Sequence, residues 1–208
     1  MRLSVFLIAC ALLASNVLRA NTLIYENYTV ITPYVNGSGL NIVQEDAVPF
    51  TVDVIAPSGS AYALSDIEFA GSVRNTESLN RVTGKLYDTV NGLPGDVLES
   101  FNLTLDPNAS GAPLYQLTSL TNPVLATGQE YWFGLSDPVT NDLTWFFNGT
   151  GVSNVATLSG STWSYSPGQY SQGALVVNAE LVTASPEPAS LLLLGGALAL
   201  GLGRKLWK

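Results

Sequence analysis

Val82-Thr83-Gly84-Lys85-Leu86-Tyr87-Asp88-Thr89-Val90-Asn91-Gly92-Leu93-Pro94-Gly95-Asp96-Val97-Leu98 decides the fold class. Apolar and polar residues alternate at its start, as they do along a half-buried strand. Asn91 to Gly95 then collects the residue types that set the special backbone angles of tight turns. We read a strand over Val82 to Tyr87, a tight antiparallel connection through the glycine-proline turn, and a second strand over Val97 to Leu105.

The same pattern recurs outward in both directions. Further strand-like stretches are Pro49 to Ile55, Tyr62 to Val73, Leu114 to Leu120, Glu130 to Leu135, Leu143 to Phe147 and Gly173 to Val182. Turn chemistry separates them at Ala56-Pro57-Ser58-Gly59, Asp106-Pro107-Asn108, Asp137-Pro138 and Ser166-Pro167-Gly168. About eight strands at this spacing predict one all-β domain, a single two-sheet β-sandwich of jelly-roll or immunoglobulin-like topology. No repeat of 20 to 50 residues is evident.

Composition narrows the chemistry. The 208 residues carry a formal charge of −8, but five of the eight basic residues (Arg2, Arg19, Arg204, Lys205, Lys208) lie near the ends. Only Arg74, Arg81 and Lys85 remain between, against fifteen acids from Glu26 to Glu180, a net of −12. Such a domain repels phosphate backbones, so nucleic acid is not an expected partner. There is no histidine, which removes the commonest general base and transition-metal ligand. The one cysteine, Cys10, lies in the leading apolar run, so the ectodomain has no thiol for a disulfide or a metal.

Both ends read as targeting segments. Met1-Arg2, the apolar stretch Leu3 to Leu18 and the small or polar Ala20-Asn21-Thr22 match the three regions of a secretory signal, predicted to form a helix. Cleavage is expected after Ala20, with Ser15 as the alternative site. An uncleaved anchor is less expected, because the run is shorter than a typical span. At the other end, Pro186-Glu187-Pro188 precedes an apolar segment, Ala189 to Gly203, and a basic stop at Arg204, Lys205 and Lys208. Two prolines forbid helix before that segment and the cations favour the cytoplasmic side. At about 1.5 Å per residue a helix of residues 189–203 spans roughly 22 Å, less than a ~30 Å hydrocarbon core, which suits a segment that is cut off. The expected organisation is a signal peptide over 1–20, a β-sandwich ectodomain over 21–184 and a sorting signal over 185–208.

The tail resembles the PEP-CTERM sorting signal. That resemblance implies processing near Pro186-Glu187-Pro188 by an exosortase-type membrane enzyme in a Gram-negative bacterium that makes exopolysaccharide. Residues 189–203 would enter the inner membrane transiently, and the product would reach the cell surface or extracellular matrix. Glu187 and the prolines would be recognition elements, not catalytic ones. A second resemblance lies in Gly84-Lys85-Leu86-Tyr87-Asp88, Asn91-Gly92-Leu93-Pro94-Gly95-Asp96-Val97-Leu98 and Gly128-Gln129-Glu130-Tyr131-Trp132-Phe133-Gly134-Leu135. These runs look like the choice-of-anchor R ectodomains over roughly Phe50 to Val182, a family without an activity to carry onto a residue.

Catalysis is not expected. A serine nucleophile without histidine needs a lysine, and Lys85 stands in no Ser-x-x-Lys arrangement. Fifteen acids make some carboxylate pair unavoidable, so a pair alone says little about glycoside hydrolysis. Trp132 and Trp145 sit among apolar neighbours, Tyr131-Trp132-Phe133 and Trp145-Phe146-Phe147, and are expected in the core. Trp163 and Tyr165 lie in a Gly-Ser-rich stretch read as loop and are the candidate carbohydrate contacts. Oxygen donors at Asp137, Thr140, Asn141 and Asp142, and at Asp88, Asn91 and Asp96, lack full calcium-loop spacing and read as turn capping. No metal or cofactor is assigned. The sequons at Asn27, Asn36, Asn102, Asn108 and Asn148 read as surface turns. The leading reading is a non-enzymatic structural or adhesive surface protein associated with exopolysaccharide; the alternative is a carbohydrate-binding module with exposed aromatics.

Overall fold

A computed structural model describes residues 21–28, 39–41, 45–73, 81–106, 113–137, 143–148, 154–168 and 171–183. The predicted signal and tail helices, Pro186, Glu187, Pro188, Arg204, Lys205 and Lys208 all lie outside the described residues. Described strands are, in chain order, β1 Asn21–Glu26, β2 Gly39–Asn41, β3 Glu45–Thr51, β4 Ser60–Val73, β5 Arg81–Val90, β6 Leu93–Thr104 and β7 Leu114–Thr118. They continue with β8 Val124–Leu125, β9 Glu130–Ser136, β10 Leu143–Phe146, β11 Asn154–Ser159, β12 Thr162–Pro167 and β13 Leu175–Thr183. No helix occurs among the described residues.

The strands form two antiparallel sheets, an arrangement compatible with a β-sandwich. The first runs β1-β13-β4-β10-β2, with β7 and β8 also on β4, and the second runs β12-β11-β3-β9-β5-β6. The pairings nest within one another: β1 with β13, β3 with β9, β4 with β7, and β5 with β6. A single core lies between the sheets. Phe133 of β9 meets Phe69 of β4 at 6.4 Å and Trp145 of β10 at 5.7 Å, and Phe50 of β3 meets Tyr25 of β1 at 5.6 Å. Each large apolar side chain buried there contributes about 1.5–3 kcal/mol. Trp145 is fully buried as expected, with its Nε1 donating to the Ala174 carbonyl at 3.0 Å.

Turn chemistry places the β5–β6 hairpin more tightly than the sequence reading did. Asn91 (φ 55°) and Gly92 (φ 74°) form a two-residue connection, and left-handed angles at both positions match the right-handed strand twist. Leu93, Pro94 and Gly95 already belong to β6, with Leu93 opposite Val90 and Pro94 opposite Thr89. Two sequons are not surface turns. Asn27 and Asn148 are buried, and the Asn27 amide donates to the Gly173 carbonyl at 2.9 Å while accepting from the Leu175 N–H at 2.8 Å. A short amide can tie β1 to β13 in this way because it offers both a donor and an acceptor.

Candidate functional site

The outward face of the second sheet gathers most of the chemistry-bearing side chains. Strand alternation sends Phe133 and Leu135 of β9 into the core and Trp132 and Gly134 to the other side. Trp132 is nevertheless buried, and every residue from Tyr131 to Leu135 is buried with it. The cause is the curl of the sheet. Trp163 on β12 and Tyr87 on β5 are four strand spacings apart, about 19 Å across a flat sheet. Their ring centroids lie 5.6 Å apart at an interplanar angle of 82°. Tyr165 likewise crosses three spacings, about 14 Å when flat, to meet Trp132 edge-on at 6.0 Å and 89°. β12 thus folds over the outward face and approaches β6, with Ala47, Tyr87, Trp132 and Ala156 as a second, smaller core and Leu93 and Trp163 at its margin.

Small residues make that closure possible. A side chain at Gly134 would place a Cβ 2.9 Å from the Glu45 carboxylate and 3.2 Å from the Tyr87 ring, so nothing larger fits without displacing them. Glu45 is itself buried. Its Oε2 accepts from the Lys85 ammonium at 2.6 Å and its Oε1 accepts a short hydrogen bond from the Tyr87 hydroxyl. Burial, the hydrogen bond to Glu45 and the charge of Glu45 together push the Tyr87 phenol well above its ordinary value. On the inner side, Asp46 accepts from the Thr157 hydroxyl at 2.6 Å, and burial pushes its carboxyl up. Both oxygens of Glu45 are engaged by Lys85 and Tyr87, so this carboxylate holds an internal charge pair within an aromatic wall.

Trp163 and Tyr165 require a correction. Both lie on strand β12 instead of in a loop, and each packs on a different partner ring. Trp163 is half-buried and Tyr165 is 42% exposed, and neither pair presents a flat, coplanar platform. Asp88 caps the hairpin, its Oδ1 accepting the Asp96 N–H at 2.6 Å, as the turn-capping reading expects. Asp137 is buried, while Thr140, Asn141 and Asp142 lie outside the described residues. Among the described residues no group of three or more His, Cys, Asp or Glu converges as metal ligands would.

Lys85 and Tyr87 figure in the sequence reading but their convergence on Glu45 does not, although a signal was present. Lys85 is the only lysine between residues 21 and 184, a stretch with fifteen acids, and a lone cation beside a strand-forming tyrosine points to a carboxylate partner across the sheet. Comparison with protein-family models, curated proteins and solved structures finds no match for this chain.

Proposed function

We propose that this chain is an exported, tail-sorted surface or extracellular-matrix protein of a Gram-negative bacterium, associated with exopolysaccharide and structural or adhesive in role. The observation that carries this reading is the motif that follows the last described strand. β13 runs to Thr183, the last described residue, and Pro186 of the motif that resembles a sorting signal comes three residues later in the sequence. A second support is that the outward aromatics pack on one another, which favours a scaffold over a catalytic groove. The nested strand pairs favour jelly-roll over immunoglobulin-like topology, since rolling up one long hairpin pairs first with last and proceeds inward.

Intact mass tests the sorting. Protein taken from the cell surface should lack residues 191–208, and a surface form that retains Trp207 and Lys208 would overturn the reading. One observation favours the alternative, a carbohydrate-binding module. Tyr165 exposes its ring beside Trp163, and an exposed aromatic face can stack on the apolar face of a sugar.

A further inference from the structure

Strand register brings the two ends of the described chain to one end of the sandwich. Asn21, the first residue of β1, stands opposite Glu180 of β13, and Thr183, the last residue of β13, stands opposite Ser60 at the start of β4. Three residues of strand separate Glu180 from Thr183, about 10 Å of rise. The two segments read as membrane-directed, residues 1–20 and 189–203, therefore join the domain at the same end. Six residue steps lead from Thr183 to Ala189, a reach of about 20 Å at full extension.

That end carries exposed apolar side chains. Ile55, in the loop after β3, is 82% exposed. Its neighbours tie it to the loop before β9: the Ala56 N–H donates to Thr127 Oγ1 at 3.2 Å, and that hydroxyl donates to the Val54 carbonyl at 3.1 Å. Val124 of β8, 60% exposed, stands opposite Ala63, next to the pairing of Tyr62 with Leu181. Leu181 is also exposed. Val90 ends β5 half exposed, where Thr89 donates to the Glu130 carbonyl at the start of β9. Single exposed aliphatics are ordinary on protein surfaces. Four of them lie at the one end from which both apolar segments depart.

We propose that this end of the sandwich is a lipid-facing rim, which rests on an uncharged or zwitterionic membrane surface while a terminal segment is inserted. The inference depends on the tail-insertion reading above. A short tether makes the contact effectively intramolecular, so a few aliphatic side chains suffice to hold it. Asp53, Asp88, Asp96, Glu130 and Glu180 lie toward the same end and select against anionic lipid. Pro186-Glu187-Pro188 would then be held close to the membrane surface, and severing the tail would release the domain, because weak single anchors bind only marginally and reversibly.

Fluorescence quenching on the full chain tests this. Cys10→Ser leaves a unique probe site, and Ile55→Cys or Val124→Cys reports on the rim. Leu114→Cys, also exposed, reports on the far end, since Leu114 pairs with Ala70, ten residues along β4 from Ser60 and about 33 Å away. In phosphatidylcholine vesicles with spin-labelled lipid, probes at 55 and 124 should be quenched at least about twofold more than at 114, because a docked tip enters about 5–10 Å into the headgroup boundary. Added phosphatidylglycerol should shrink the difference. A chain that fails to float with the vesicles would overturn tail insertion and the rim with it. Flotation with equal quenching at 55, 124 and 114 would leave tail insertion standing and overturn the rim. Shielding of position 55 from a soluble quencher without lipid quenching would assign the rim to a contact between copies of this chain and overturn the lipid assignment.

Discussion

The two sheets share one core but use their outward faces in opposite ways. On the first sheet, burial alternates along β7 and β13, and the outward side is mostly solvent-exposed, with Leu23, Leu114 and Val124 among its polar side chains and only a small buried patch at Ala70, Phe146 and Ala174. Its one buried acid there among the described residues, Asp66, accepts from neutral partners: the amides of Asn178 at 2.8 Å and Asn21 at 3.3 Å, and the hydroxyl of Ser65 at 3.2 Å. On the second sheet, β3 and β9 are buried on both sides because β12 folds over them, and the buried acid, Glu45, is held by a cation and a phenol. A solvated face needs only alternation. A face covered by its own edge strand needs apolar residues at every position, small residues beneath the rings, and a countercharge for any acid it encloses.

Truncation on the two sides of β9 is the strongest test of that contrast. Trp132→Ala, on the outward side, should cost about 3–5 kcal/mol, as much as Phe133→Ala on the inward side, because both remove a large buried ring. Denaturant unfolding measures each. A loss below about 1 kcal/mol for Trp132→Ala would show the outward face to be solvated and the two sheets to be alike.

The enclosed acids should differ next. Lys85→Met should cost about 3 kcal/mol, because it leaves the Glu45 charge buried with only Tyr87 beside it. Glu45→Gln in the same chain should restore part of that loss, and additive effects in the double-mutant cycle would sink the charge-pair reading. Asp66→Asn should cost less, about 1–2 kcal/mol, since its partners are neutral.

Alkaline unfolding probes the shared core and the outward face of the second sheet at once. Burial, opposed by the hydrogen bond with Asn27 and aided by Asp53, pushes the Tyr25 phenol from 10.0 up to about 12, and the Tyr87 phenol moves in the same direction. A raised folded value means that the folded state holds the proton more tightly. The stabilisation is therefore fully present below pH 10 and lost as pH rises through about 12. Tyr25 alone accounts for up to about 2 kcal/mol of this loss. The phenolate absorbance that Tyr25→Phe and Tyr87→Phe each remove should belong to the step that accompanies unfolding, and its loss near pH 10 from the still-folded chain would contradict the burial of these two phenols.

What the sequence shows and hides follows the same division. Tyr131-Trp132-Phe133 announces a strand buried on both faces, and the alternation from Val82 to Tyr87 with its Asn91-Gly92 turn announces a hairpin. β11 and β12 escaped because Ser159-Gly160-Ser161 and the serines around Trp163 read as loop, although Trp163 and Tyr165 two residues apart already have strand spacing. Glu45 and Asp46 escaped because adjacent acids ahead of Pro49 look solvated, whereas the curl of the sheet encloses Glu45 and Asp46 is buried on the inner side beside Thr157. β1 and β8 depend on pairing partners far along the chain, with Asn21 opposite Glu180 and Val124 opposite Ala63. Local pattern does not carry such pairings.

The smallest effects belong to β12, where packing and recognition compete for the same rings. Trp163 is half-buried and edge-on to Tyr87, so Trp163→Ala should cost about 1–2 kcal/mol, between the cost of a core truncation and that of a surface one. Tyr165 is 42% exposed and touches Trp132 only at its edge, so Tyr165→Ala should stay within about 0.5–1 kcal/mol. Retention on a bacterial exopolysaccharide, the ligand of the proposed function, then separates scaffold from sugar binder. If the rings only close the outward face, both variants keep wild-type retention and differ only in stability. If Tyr165 stacks on sugar, Tyr165→Ala loses retention while its melting temperature barely moves, a combination that packing alone does not produce. Loss of retention in Trp163→Ala alone, tracking its lower stability, would instead show that the bound polysaccharide reads the shape of the folded-over β12 and not an exposed ring.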